Sequence, residues 1–400
     1  MKNELNDSTE RFLSRLLGGD FLLWSPNVQA EGFLNWDKIW ATRTIRRGTP
    51  KPLPYAPITT NFTFESHGKT RTIEDFMRWE FVSGLLVVKG GEIKLEHYAR
   101  GLTPERCWQS SSMVKSFAAI LVGAAVEDGA IRSIQQPITD YLPELLGSAY
   151  EGVTIHHLLK MASGVFWTEL TDDPTTDVTE HYLKPIAARK KDYVLRYLKS
   201  RPREYSPGSR YRYNSADVLL LSYILSRATG CKVADYCSAK IWRPVGFEQD
   251  GYFMLDADDG QEVLGSCSGA CLRDYARWGL LMLADGIVEG KRVLPQHWVK
   301  DCVTAKPPIP VNVPGQRGES VFNGYGYLWW VRGNGDYAAR GSFGQWIYVS
   351  PKHNAVVTIL GAVPRLAYMS TEERDLHEDT SHGGSKMRLD FIAAILNELN

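Results

Sequence analysis

The sequence predicts an α/β protein in which an antiparallel sheet is flanked by helices and a mostly helical subdomain is inserted between sheet strands. Three observations lead there. β-type runs occupy the stretch around residue 90 and return beyond residue 320, a helix that is apolar on nearly every face begins at Ser112, and the chain between about 130 and 310 has helical periodicity broken by Pro- and Gly-rich loops. Strands at both ends that enclose a helical middle imply one sheet assembled from distant segments. With 400 residues, 44% of them hydrophobic and 11% aromatic, the chain can bury a large core.

Residues 1–60 are polar and gather Gly48, Pro50, Pro52, Pro54 and Pro57 towards their end, which reads as an N-terminal arm packed on the main module. That module spans 61–400, with the sheet drawn from about 61–110 and 320–400 and the helical subdomain from about 130–310. Val82–Lys89 and Glu92–Tyr98 flank Gly90-Gly91, and the two glycines predict a tight hairpin turn. From Ser112 the apolar residues Met113, Val114, Phe117, Ala118, Ile120, Leu121 and Val122 predict a buried central helix that stops at Glu127-Asp-Gly129. Further on, Tyr325–Val331, Trp346–Val349 and Ala355–Leu360 read as strands, and Met387–Leu399 as an amphipathic closing helix.

Composition excludes several functions. Forty-six basic residues balance forty-six acidic ones, so no net field would draw the chain to nucleic acid or to an anionic membrane. The N-terminus lacks the continuous apolar run of a secretory signal, and Phe117–Val126 is too short to cross a bilayer, so a cytoplasmic protein is expected. Six scattered cysteines form neither a disulfide framework nor a zinc pattern, and the nine histidines lack metalloprotease spacing. No metal and no cofactor are expected. The partner expected is a small ester or amide, with a homodimer left open.

Ser112-Met-Val-Lys115 carries the chemistry. About one Ser-x-x-Lys match is expected by chance in a chain this long, and Ser66-His-Gly-Lys69 is a second copy, in a polar stretch without helical pattern. At Ser112 a helix starts, so residues three apart share a face and the amine can reach the hydroxyl. A lysine among apolar neighbours gives up its proton more readily and can take one from serine. A serine at a helix start also turns its N–H towards an incoming oxyanion. The plainer reading is a capping serine with a snorkelling lysine. Tyr213, in Pro207-Gly-Ser-Arg-Tyr-Arg-Tyr213-Asn-Ser215, precedes a helix whose expected N-cap is Ser215. Such a phenol can relay a proton, or be an ordinary core tyrosine.

Taken in order, Ser112-x-x-Lys115, Tyr213-Asn-Ser215 and Gly341-Ser-Phe-Gly-Gln345 resemble the three motifs of serine β-lactamases, penicillin-binding proteins and their esterase relatives. Ser163-Gly164, Pro207-Gly208, Thr229-Gly230 and Asp274-Tyr-Ala-Arg-Trp-Gly279 are similar to supporting segments of that superfamily. Within it, Tyr213-Asn-Ser-Ala-Asp217, Trp329-Trp330 and the Phe-Gly-Gln-x-x-x-Val-x-Pro run ending at Pro351 look most like 6-aminohexanoate-dimer hydrolases, over about residues 80–360. The resemblance implies a β-lactamase-like fold and an acyl-enzyme on Ser112, with Lys115 as base and Tyr213 as proton relay. It implies an oxyanion hole from the N–H groups of Ser112 and Ser342, with Ser215, Phe166, Trp167, Gly341, Phe343 and Gly344 as pocket or support.

Two departures bear on substrate. Ala339-Arg340-Gly341 replaces the Lys-Thr-Gly whose lysine helps hold a β-lactam carboxylate, and on a strand Arg340 alternates away from its neighbours. The loop Val165–Thr171 lacks the tyrosine that assists amide turnover in the linear-amide hydrolases, which favours esters. Acyl transfer to an alcohol or amine, or hydrolysis of a β-lactam or a D-amino-acid peptide, would use the same residues, and a non-catalytic binding protein on the same fold is the alternative from another class. Cys267, in Gly265-Ser-Cys-Ser-Gly269, is a weak rival nucleophile, and Gly333-Asn-Gly335 reads as a hairpin turn rather than a dinucleotide fingerprint.

Overall fold

The computed structural model describes residues 24, 26–58, 61–170, 173, 175–308, 322, 324–364 and 386–399. Strands β1 (Val82–Lys89) and β2 (Glu92–Tyr98) form the expected hairpin, with Gly90 at φ +60° and Gly91 at φ +82°, values that a side chain would oppose. β1 is buried from Val82 to Val88, whereas in β2 only Ile93 and Leu95 are buried. A continuous apolar run thus marks a central strand and an alternating one an edge. The C-terminal third adds β3 (Gly324–Tyr325), β4 (Trp330–Val331), β5 (Tyr337–Gly341), β6 (Gln345–Ser350) and β7 (Ala355–Gly361). The seven strands are antiparallel in the order β3-β4-β5-β6-β7-β1-β2, so distant parts of the chain meet where β7 pairs with β1.

Two sequence expectations are corrected. Tyr325–Val331 is not one strand: Tyr325 pairs with Trp330 across a tight turn. Leu328 there has φ +59°, and a Cβ on Gly326 would stand 1.8 Å from the Cys302 carbonyl oxygen, so the chain bends where it presses on a neighbouring backbone. The helix after Tyr213 is capped by Asn214, whose side chain accepts from the N–H groups of Ala216 and Asp217, and Ser215 is its first residue. Ser215 is thereby released for another contact.

Helix α1 (Val114–Glu127) runs through the centre, with every residue from Val114 to Ala125 buried. Its buried Val, Phe, Ile and Leu side chains each contribute about 1.5–3 kcal/mol by leaving water. Helix α2 (Ser215–Thr229) packs beside it and ends at Gly230 in the left-handed region, φ +66°. Helix α3 (Leu272–Leu283) lies on β6 and β7, where a Cβ on Gly279 would meet Val356 and Ile347 within 3 Å. Gly333-Asn-Gly335 is the expected turn, between β4 and β5.

A second, four-stranded sheet leads into Ser112. Its strands are Thr42–Ile45, Gly251–Met254, Ser268–Ala270 and Trp108–Gln109, so both the N-terminal region and the mainly helical middle contribute to it. Phe33 packs edge-on to Trp108 at 5.5 Å and against Phe343 at 5.4 Å, which makes the N-terminal segment a buttress for the approach to Ser112. The rival copy Ser66-His-Gly-Lys69 is a two-strand turn in which Ser66 and Lys69 face each other across the ladder. It holds no helical turn.

Helix α4 (Lys386–Glu398) stacks Phe391 on Phe76 at 4.1 Å and carries Arg388, which is fully buried. Arg388 donates to Glu80 Oε2 at 3.0 Å and to the Gly344 carbonyl at 2.9 Å, tying the last helix to the β5–β6 turn. Removing one partner of a buried pair strands the other charge. Glu80→Gln is expected to cost about 3–5 kcal/mol of unfolding free energy in urea melts; a loss below about 1 kcal/mol would contradict this role for the pair.

Candidate active site

Ser112 lies in a single tight turn, Ser111–Met113, that opens α1. The residue before it, Ser111, has φ +44°, a left-handed conformation that costs a non-glycine residue free energy and persists only when its surroundings fix it. They do so here. Gln109 Oε1 accepts from Ser111 N at 2.5 Å and from Ser111 Oγ at 3.2 Å, Cys267 N donates to the Ser111 carbonyl at 3.2 Å, and Ser110 exchanges bonds of 2.8 Å with Ser268. The buried polar run Gln109-Ser-Ser111 is therefore a clamp on the backbone ahead of Ser112.

One turn later Lys115, 2% exposed, places Nζ 3.0 Å from Ser112 Oγ and donates to the Gly265 carbonyl. A carbonyl can only accept, so it fixes one N–H of the amine and aims another position at the hydroxyl. The ring of Tyr213 lies against this pair, its centroid 4.9 Å from Lys115 Nζ, and it stacks on Trp330 at 6.2 Å. The loop bearing Tyr213 is zipped to the segment after Leu159: Gly208 N donates to Ala162 O, Arg212 N to Met161 O, and Glu204 N and Tyr205 N to Gly164 O. A Cβ on Gly164 would stand 2.2 Å from the Tyr205 carbonyl oxygen, which explains the glycine of Ser163-Gly164. Three segments far apart in sequence are thus brought together at Lys115.

The end of β5 closes the site from the other side. A Cβ on Gly341 would lie 2.5 Å from the Ser110 carbonyl oxygen and 3.0 Å from Ser112 N, so only a glycine lets this strand reach the backbone of Ser112. Ser342, Phe343 (φ +64°) and Gly344 (φ +88°) form the turn into β6. Gln345 holds that turn: its Nε2 donates to the carbonyls of Phe343 and Gly361, and its Oε1 accepts from Trp108 Nε1 at 3.0 Å. Trp108, four residues before Ser112, and the end of β7 are so linked through one amide.

The remaining expected residues divide. Phe166 is half-buried, its ring between the guanidinium groups of Arg201 and Arg212 at 5.0 and 5.6 Å. Trp167 is fully buried, Phe343 packs inward on Phe33, and Gly344 faces Arg388, so these three are turned to the interior. Arg340 turns into a cage of Phe322, Trp330 and Trp346, as strand alternation requires. Cys267 is buried, and burial pushes its thiol up to about 12, which deprives it of the thiolate a nucleophile needs.

The sequence reading passed over Glu169. Its carboxylate accepts from Ser215 N at 3.1 Å, from Ser215 Oγ and from Trp167 Nε1. Desolvation pushes the carboxyl above the usual range, while Lys115 and the donors of Ser215 and Trp167 pull it the other way. No motif marks a glutamate in this loop. From the sequence Ser215 reads as the helix cap, and only the capping by Asn214 leaves its hydroxyl for Glu169.

Among the described residues no group of three or more His, Cys, Asp or Glu side chains is gathered as a metal site requires, and no helix is long and apolar enough to cross a membrane.

Known proteins share both sequence and architecture. The profile of the Beta-lactamase family matches residues 70–365. The 6-aminohexanoate-dimer hydrolase of Paenarthrobacter ureafaciens is 28% identical over 288 residues, which cover 70% of this chain and 72% of that protein. Esterase EstB of Burkholderia gladioli is 29% identical over 198 residues, 44% of this chain and 50% of the esterase. In structure, a Bacillus anthracis protein assigned as a 6-aminohexanoate-dimer hydrolase superposes with a TM-score of 0.75 at 20% identity, covering 93% of this chain and 94% of that one. A class C β-lactamase from Rhodobacter sphaeroides gives a TM-score of 0.56 at 17% identity, over 81% and 98% of the two chains. The antiparallel sheet with its flanking helices is accordingly a β-lactamase-like fold, and this chain belongs to the Beta-lactamase family.

Proposed function

We propose that the protein is a serine hydrolase that cleaves a small ester, and less readily a linear amide, through an acyl-enzyme on Ser112. The observation that carries this reading is the buried amine of Lys115 at 3.0 Å from the Ser112 hydroxyl. Ser112 Oγ bonds to the substrate carbonyl carbon as its proton passes to Lys115. The oxyanion is received by the N–H groups of Ser112 and Ser342. Tyr213 carries the proton on to the leaving alkoxide or amine as its bond to the carbonyl carbon breaks. Water then bonds to the acyl carbon as its proton passes to the same groups, the bond to Ser112 Oγ breaks, and that proton returns to Oγ as the acid leaves.

The ester preference rests on two features of the cleft. No tyrosine stands in the Val165–Leu170 loop, and Ala339 occupies the place of the lysine that would hold a β-lactam carboxylate. Hydrolase relatives of both kinds, the dimer hydrolase and the esterase, are compatible with this choice. A cytoplasmic setting belongs to the proposal and is supported by six cysteines that are all free.

Ser112→Ala is expected to abolish turnover of short-chain nitrophenyl esters while leaving the thermal melt in place. Lys115→Ala should lower kcat/KM by roughly a thousandfold or more through loss of the base. Wild-type rates in either variant would refute the assignment. In a side-by-side panel the order expected is esters above linear amides, with a chromogenic β-lactam slowest; a β-lactam turned over faster than the esters would overturn the substrate class.

A further inference from the structure

Glu169 is a buried-side contact of the site that the mechanism above does not use. It holds Ser215 twice, by the backbone N–H and by the hydroxyl, and Trp167 once. Ser215 in turn backs Gly265: a Cβ there would stand 2.3 Å from the Ser215 carbonyl oxygen and 2.3 Å from the Tyr182 hydroxyl. The Gly265 carbonyl receives the Lys115 amine. A continuous stack thus runs from the Glu169 carboxylate through Ser215 and Gly265 to Lys115, and Glu169 is also within electrostatic reach of that amine.

Resting on the reading of Lys115 as base, we propose that Glu169 is a positioning residue for it. It clamps Ser215, whose carbonyl backs the Gly265 peptide, and its carboxylate supplies the counter-charge that steadies the ammonium formed when Ser112 gives up its proton. The charge matters because the amine's other neighbours among the described residues bring none: the Gly265 carbonyl is neutral, Tyr213 meets it with a ring face, and the Cys267 thiol stays protonated.

The titratable groups in electrostatic reach of Glu169 are Lys115 from α1, Tyr211 from the Pro207–Asn214 loop, Tyr182 from the π-helical segment Val178–Leu183, and Asp217 from α2. Burial holds the phenols of Tyr182 and Tyr211 far above their ordinary range, so both stay neutral. Asp217 accepts from Tyr150 Oη at 2.8 Å and is pushed up to about 7 by burial, which makes it the second titrating group in reach. Arg212 turns its guanidinium to Glu204.

The test is the pH profile of kcat/KM on a nitrophenyl ester for wild type, Glu169→Gln and Asp217→Asn. Gln keeps the shape and the acceptor oxygen for Ser215 but not the charge. Without the carboxylate the uncharged amine is favoured, so the acid limb should move down by about one pH unit. The plateau kcat should fall about tenfold with KM within about twofold, since the ammonium forms only after binding. Glu169→Ala, which also drops the clamp, should fall further and show the same limb. A Glu169→Gln profile that superimposes on wild type would overturn the inference, and so would an Asp217→Asn limb that moves as far. An active Ser112→Ala enzyme would instead bring down the reading of the site itself.

Discussion

A lysine amine almost sealed from water is the constraint around which this molecule is arranged. Taking a charge out of water costs several kcal/mol unless partners replace the lost hydration. At Lys115 those partners are a hydroxyl, a carbonyl and the face of a ring, each delivered by a different part of the chain. Lys160 offers a comparison within the same protein. It is also buried, 3% exposed, but donates to two carbonyls, those of Lys306 and Tyr325, at 2.9 and 2.7 Å. Burial brings its amine down to about 8, and among the described residues its hydrogen bonds go to carbonyls rather than to a hydroxyl. The same side chain in the same kind of environment is structural at one position and chemically placed at the other.

Holding the hydroxyl and the amine together falls to elements that are otherwise remote. Helix α1, buried from Val114 to Ala125, fixes the amine, and the small sheet fixes the strained Ser111 just ahead of it. Gln345 and Gly341 bring the end of β5 against the same backbone, and Arg388 anchors the adjoining turn from the last helix. Two close approaches, at Gly341 and Gly164, let strand and loop come nearer than any side chain would permit. Preorganised sites are built in this way, by neighbours whose own positions are over-determined.

Local patterns were legible in the sequence where a single segment decides its own structure. The Gly90-Gly91 hairpin, the buried helix after Ser112 and the β6 and β7 strands needed only periodicity and turn chemistry. The two copies of Ser-x-x-Lys were separable because one lies in a helical pattern and the other around a glycine turn. Contacts that join segments were not legible. Tyr325–Val331 is an aromatic, apolar run that reads as a strand, and it bends where Gly326 lies against the Cys302 carbonyl. Ser215 looks like a cap because nothing local says that Asn214 will cap and that Glu169 will claim the serine. Gly265 contributes a carbonyl, and a carbonyl leaves no mark on residue identity.

The account stands or falls on Ser112 being the group that bonds to substrate. Incubation of the intact protein with a fluorophosphonate, followed by peptide mass mapping, reads this directly. An adduct confined to the peptide bearing Ser112, and absent when Lys115 is replaced by alanine, is the predicted result. A protein left unmodified, or an adduct on Ser66 or another residue with Ser112 intact, would contradict it.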